Sequence, residues 1–240
     1  MQLHKKVIKN ALSSLRYDIW RARHRLRPDP FVDMSYLVTS STPVLFDVGA
    51  NVGQTIRNFR KHFKQSTIHA FEPSPSTFQT LRERTLGIPE LHLTNVGLGA
   101  RPEIKTFVEN QSPGMSSFLE PGEECFGSVK ERLSCTLDTI DDYCERAGVR
   151  HIDVLKSDTQ GFELEVLRGA SRMFERKRIH LVYFEIIFSA MYQGLPRIDE
   201  LFKFLFDHGF RVVSFYDMHY QSGRLGWTDV LFVDPTYSAD

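Results

Sequence analysis

From residue 43 onward the chain alternates short apolar runs with stretches of helical spacing, and that alternation restricts the fold more than any other feature. Residues 44–48, 67–71, 91–96, 152–155 and 179–186 read as buried strands, and residues 53–63, 76–85, 140–147, 162–174 and 198–208 read as helices. Gly209 stops the last of these. Strands and helices in alternation predict an α/β fold, a mostly parallel sheet with helices on both faces. Two runs, 104–108 and 133–137, read as strands on either side of a Gly-, Ser- and Glu-rich loop over residues 110–130. Runs 210–215 and 230–233, linked through Gly223 and Gly226, predict an antiparallel hairpin closing the sheet. One domain over residues 43–240 is expected, with residues 1–42 as an N-terminal helix and linker.

Thirty Lys and Arg cancel thirty Asp and Glu, but the two signs are unevenly placed. Residues 1–30 hold eight basic and two acidic residues, a net of +6, which leaves −6 for the remainder. The acidic body argues against a nucleic-acid partner, whose protein would be strongly basic. In the leader, Ile8, Leu12, Leu15, Ile19, Ala22 and Leu26 form one apolar stripe among basic residues. Such a helix over residues 5–27 could cap the body, pair with another copy, or lie on an anionic membrane surface with Trp20 at its edge. Pro28 and Pro30 end it. Cys125, Cys135 and Cys144 are odd in number and lack C-x-x-C spacing, so neither a disulfide framework nor a metal site is expected. Free thiols and the lack of a run of ~20 apolar residues point to a cytoplasmic protein.

The first predicted strand runs into Asp47-Val48-Gly49-Ala50-Asn51-Val52-Gly53-Gln54 and then a helix. Small residues there allow close approach of a ligand, and the helix N-terminus favours polar groups. The pattern is D-x-G-x-N-x-G and not the dinucleotide fingerprint. The second strand ends at Phe71-Glu72-Pro73, where a carboxylate is placed to hold both hydroxyls of a ribose. The third ends at Asn95, whose amide could reach a nucleobase edge. With no polyphosphate loop present, these features predict an adenosine ligand without polyphosphate, which S-adenosyl-L-methionine fits.

The runs VLFDVGANVGQ, HAFEPSP and LKSDTQGFELEVLRGA, in this order, resemble the FkbM family of S-adenosylmethionine-dependent methyltransferases over about residues 43–235. The resemblance implies the class I, Rossmann-like methyltransferase fold, seven strands ending in the antiparallel hairpin. It also implies methylation of a hydroxyl on a sugar, glycan or other natural product. Asp47, Gly49, Ala50, Asn51 and Gly53 would line the methionine and ribose side, with Glu72 and Pro73 at the ribose.

An alcohol acceptor must lose a proton, so a base near the carboxyl ends of the strands is expected. Asp158 is the first choice, although it could instead cap the helix starting near Phe162. Glu185, a carboxylate inside an apolar strand, needs a partner or a purpose. His219 is the third candidate, expected beside Tyr220 in the loop before the last strand. Glu163 would complement a helix dipole, and Lys156 would pair with a carboxylate. Met115 and Phe118 would give the 110–130 loop an apolar surface for the acceptor. An N-methylating or a non-catalytic cofactor-binding protein of the same fold is the alternative.

Overall fold

Strand β1 (Val44–Val48) is buried on both faces, which places it at the centre of a layered structure. Its alternate side chains go opposite ways: Phe46 and Val48 join one apolar cluster, and Leu45 joins another. The computed structural model describes residues 28–237, and the expected helix over residues 5–27 lies outside them.

Parallel strands β2 (Thr67–Phe71) and β3 (Leu91–Thr94) extend the sheet on one side of β1, and β7 (Ile152–Ser157) and β8 (Ile179–Ile187) extend it on the other. The hairpin β9 (Arg211–Gln221) and β10 (Arg224–Val233) completes seven strands in the order β3-β2-β1-β7-β8-β10-β9, with β10 antiparallel to both neighbours. A second sheet, β4 (Gly97–Leu98), β6 (Val129–Asp138) and β5 (Glu103–Asn110), occupies the insertion between β3 and β7. The two-residue β4 was not expected from the sequence.

Helices α1 (Pro30–Leu37), α2 (Gln54–His62) and α3 (Pro75–Arg84) cover one face through Met34, Ile56, Phe59 and Leu81. Helices α4 (Ile140–Ala147), α5 (Glu163–Arg168), α6 (Ser171–Glu175) and α7 (Ile198–Asp207) cover the other through Cys144, Leu167, Phe174 and Leu205. Each fully buried Phe or Leu contributes roughly 1.5–3 kcal/mol relative to exposure, so these two layers fix the sheet. The single helix expected over residues 162–174 is divided at Gly169, where a β-carbon would lie 2.0 Å from the Gly99 carbonyl oxygen.

Helix α1 corrects the expected linker. Pro30 occupies the first helical turn, where its missing N–H costs nothing, and Asp29 caps it by accepting from Phe31 N–H at 2.9 Å. Buried Asp33 accepts a hydrogen bond of 2.8 Å from Tyr216 of β9, which ties the helix to the far strand of the sheet. Pro30 thus opens a helix of its own; the expected helix that it was read to end lies outside the described residues.

Candidate active site

The strand order reverses between β1 and β7, and a pocket opens there beyond their carboxyl ends. At the turn after β1, Gly49 and Ala50 N–H both donate to Phe71 O, at 3.0 and 2.9 Å, so this turn is clamped to the end of β2. Gly49 has φ +75°, and a β-carbon on it would lie 2.0 Å from Asp158 O. Gly53, with φ +89°, clears Thr85 and Leu81. Both glycines therefore shape the turn by packing against protein atoms. Asn51 takes φ +48°, which asparagine tolerates better than most residues, and lines the pocket.

Glu72, at the end of β2, is buried, and its two oxygens accept from Asn51 N–H and Ser74 N–H, each at 3.0 Å. Burial nevertheless pushes its carboxyl up to about 7. Each oxygen keeps a lone pair for a further donor. Asn95 sits just beyond β3, and its Nδ2 donates to the carbonyls of Glu72 (2.8 Å) and Pro73 (3.1 Å). Its amide thus braces the Glu72 turn instead of projecting among the residues that line the pocket. Apolar walls from Phe71, Val96, Leu98, Phe107 and Phe118 make a slot suited to a flat base.

The insertion sheet closes this pocket from the side. Glu109 of β5 accepts from Ser76 (3.0 Å) and Lys130 (2.6 Å) and from Ser74 through a short contact, which holds the sheet against the loop after β2. Phe107, Phe118 and Phe162 pack together beneath it.

Asp47 is fully buried on the face opposite Val48. Its Oδ1 faces Lys156 Nζ at 2.9 Å, an ion pair without hydrogen-bond alignment, and its Oδ2 has no hydrogen-bond partner. Burial pushes Asp47 up against the pull of Lys156, while Lys156, which burial would lower, is held up by Asp47 and Asp158. Lys156 also donates to Gly49 O at 3.2 Å.

Asp158 stands on the wall shared by this pocket and a second cleft of about 500 Å³. The second cleft is lined by Phe31, Thr55, Asn58, Lys156, Tyr183, Glu185, Asp217 and Asp229, among others. Cross-strand pairing sets Asp229 beside Glu185. Tyr183 OH donates to Asp229 Oδ2 at 2.6 Å. Burial pushes Asp229 up to about 6 and Glu185 up to about 9, the latter helped by the Asp158, Glu163 and Asp229 charges. Gln160 Nε2 reaches both Asp158 Oδ1 and Glu185 Oε2 at 2.9 Å. Glu163 accepts from Thr159 N–H (2.8 Å) and Thr159 OH (3.0 Å), which ties the turn after β7 to α5; burial raises it to about 7.

The structure therefore brings Asp158 and Glu185 together but not His219. That histidine lies within β9 and not in a loop, because the hairpin strands run on to the Ser222-Gly223 turn. It is exposed, stacks on Trp227 at 4.9 Å and lines neither cavity. Gln160, Asp229 and Tyr183 were not anticipated. Asp229 carries the signal that singled out Glu185, a charge within an apolar strand, and Gln160 sits inside the quoted DTQG turn. Among the described residues, no group of three or more His, Cys, Asp or Glu is arranged to hold a metal ion.

This strand order, with a pocket at its switch point and a second polar cleft sharing one wall, is that of the class I methyltransferase fold. The family model for the methyltransferase FkbM domain matches residues 47–212, and the chain belongs to that family. The 2-O-methyltransferase NoeI of Sinorhizobium fredii is 25% identical over 169 residues, covering 66% of this chain and 69% of that protein. The hexuronic acid methyltransferase AglP of Haloferax volcanii is 28% identical over 163 residues, covering 66% of this chain and 62% of that protein. A solved structure from Clostridium thermocellum, provisionally described as an rRNA methylase, shares the fold with a TM-score of 0.52 at 10% identity, covering 87% of this chain and 95% of that one.

The cofactor is S-adenosyl-L-methionine, and the residues present fit it. Glu72 suits the ribose hydroxyls, and the buried Asn51 Oδ1 has no hydrogen-bond partner in the protein, which leaves it for a ligand donor. Among the described residues no helix is long and apolar enough to cross a membrane.

Proposed function

We propose that this chain transfers a methyl group from S-adenosyl-L-methionine to a hydroxyl oxygen of a sugar, glycan or related polyol. The observation that carries this reading is the position of Asp158, which faces both the cofactor pocket and the adjoining polar cleft. An acceptor in that cleft meets the cofactor at this residue. The cofactor, when bound, supplies an electrophilic methyl on a sulfonium. The protein's part is to hold the acceptor oxygen in line and to take its proton.

Asp158, the more exposed carboxylate, serves as the base in this reading. Glu185, pushed up to about 9 by burial, stays protonated at neutral pH and donates to the acceptor. Among the described residues, the acidic side chains Asp29, Asp158, Glu185, Asp217 and Asp229 line the cleft with one cation, Lys156, which is paired with Asp47. Acidic side chains suit the hydroxyl donors of a polyol, whereas a phosphate backbone is held by clustered cations, so a nucleic-acid acceptor is disfavoured. The names of two relatives, a 2-O-methyltransferase and a hexuronic acid methyltransferase, support an oxygen acceptor and a sugar acceptor respectively.

The test is transfer of an isotope-labelled methyl group to a panel of methyl glycosides, polyols, amines and RNA, after calorimetry with S-adenosyl-L-methionine. Labelled methyl ethers on sugar oxygens are expected, with turnover falling by about 10²–10⁴-fold in Asp158→Asn. Transfer to nitrogen or RNA alone would overturn the acceptor class. An absence of cofactor binding by calorimetry would overturn the enzyme.

A further inference from the structure

Gln160 is held by four hydrogen bonds beside the cofactor pocket. It is buried, yet it adopts φ +55°, a conformation that L-residues other than asparagine and aspartate rarely take. Its backbone carbonyl accepts from Ser117 Oγ at 2.8 Å, and its side-chain Oε1 accepts from Tyr192 OH at 2.8 Å. Its Nε2 has two hydrogens, and two carboxylates lie at 2.9 Å: Asp158 Oδ1 and Glu185 Oε2.

Only one orientation of the amide satisfies all three side-chain contacts. Turned over, its oxygen would face the ionised Asp158 carboxylate at 2.9 Å. Tyr192 is buried, and burial pushes its hydroxyl up, so it remains the donor. Its single hydrogen lies between Gln160 Oε1 and Met115 O, the latter at 3.1 Å in the short turn Pro113–Met115 of the insertion. A continuous path therefore leads from the insertion loop through Tyr192 and Gln160 to both carboxylates.

We propose that Gln160 is the positioning residue of this site: its amide fixes Asp158 and Glu185 relative to each other, and Tyr192 relays the seating of the 113–118 loop to that pair. The proposal rests on the methyltransferase reading of the two cavities. Asp158 borders both cavities and Glu185 borders the cleft alone, so Gln160 joins the groups on the two sides of the reacting oxygen. The strained backbone has a reason in this light, since the left-handed φ turns the side chain back over the end of β7 toward β8. Other charged or titratable groups facing Glu185 are Glu163 of α5, Asp229 of β10 and Tyr192, and among the described residues no cation contributes there as strongly.

The experiment follows the Glu185 carboxyl carbon by NMR titration in the full chain, selectively labelled, in wild type, Gln160→Leu and Tyr192→Phe. The amide hydrogen bond favours the ionised carboxylate, so losing it raises the midpoint. Gln160→Leu is expected to move Glu185 up by about one pH unit, and Tyr192→Phe in the same direction by less, because the amide stays but loses its anchor. A glutamine that only packs there, without donating to Glu185, would leave the Glu185 midpoint in place. If Gln160→Leu does not fold, the Tyr192→Phe titration decides alone. An unmoved midpoint in Tyr192→Phe would overturn the relay, and one unmoved in both would overturn the proposal. Calorimetry of wild type with S-adenosylhomocysteine keeps the two readings apart: if it binds and the midpoints do not move, only the role of Gln160 falls.

Discussion

Gly49 and Asp158 meet backbone to backbone across the switch point, so closely that a β-carbon on Gly49 would stand 2.0 Å from the Asp158 carbonyl oxygen. The turn cannot retreat, because Gly49 and Ala50 N–H are both bonded to Phe71 O. Gly49→Ala would combine this clash with a left-handed φ of +75°. It is expected to cost roughly 4 kcal/mol or more, the range reserved for backbone strain in a packed site. A thermal melt should show a drop on the order of 10 °C. A Tm within a degree or two of wild type would mean that the two strand ends are not clamped as described.

Glu72 should make cofactor binding depend on pH. Its carboxyl is pushed up to about 7 by burial, and hydroxyl donors from a ribose favour the ionised form. Affinity for S-adenosyl-L-methionine is therefore expected to rise as pH increases through about 7. In Glu72→Gln the affinity should be weaker by roughly tenfold or more, and its dependence on pH through this range should flatten. Calorimetry at several pH values measures both effects, and a pH dependence equal in wild type and variant would remove Glu72 from the ribose.

Glu185 should cost the chain stability in alkali. Its folded value, about 9, is above the ordinary 4.5, so the folded state holds the proton more tightly than the unfolded state. The stability from this is fully present below 4.5 and is lost as pH climbs through about 9. Glu72 and Glu163, both near 7, and Asp229, near 6, act with the same sign and finish their share earlier. Glu185→Gln is thus expected to flatten the upper part of the decline, above about 7, in urea denaturation followed against pH. A decline of unchanged slope would place Glu185 in water.

Lys156 and Asp47 form a pair that is easier to remove whole than to halve. Both are buried, with Nζ and Oδ1 2.9 Å apart. Lys156→Met should cost roughly 3–5 kcal/mol by leaving a buried carboxylate without its cation. Adding Asp47→Asn should restore part of that loss, and a double-mutant cycle from chemical denaturation reads the coupling. Strict additivity would show that the two charges do not sense each other.

The strand-helix alternation made the sheet legible because β1, β2, β7 and β8 are buried on both faces and so read as continuous apolar runs. The small-residue turn and Glu72 were legible for a different reason, since a carboxylate directly after such a run has few structural uses. Helix α1 was hidden because a proline can end one helix and begin the next, and the docking of Asp33 on Tyr216 is a long-range contact that the local sequence does not display. Gln160 was hidden because an uncharged amide carries no burial penalty conspicuous enough to mark it. The roles of Asn95 and Gly53 shifted because a spacing fixes where a residue sits but not which atoms it meets.

His219 marks the limit of composition-based reasoning about catalysis. A histidine near the carboxyl ends of a sheet is a natural candidate base, and the expected loop would have allowed it to reach inward. In the structure its strand continues, and the ring lies at 14° to the plane of Trp227 on the exposed side of the hairpin. Stacking of this kind contributes on the order of 0.5–1.5 kcal/mol. His219→Ala is therefore expected to lower stability by about that amount while leaving cofactor affinity and methyl transfer as in wild type. The measurement is a paired denaturation curve and labelled-methyl assay on the same preparation. A loss of transfer beyond about tenfold with cofactor affinity intact would return His219 to the site and require the end of the hairpin to fold over the cleft.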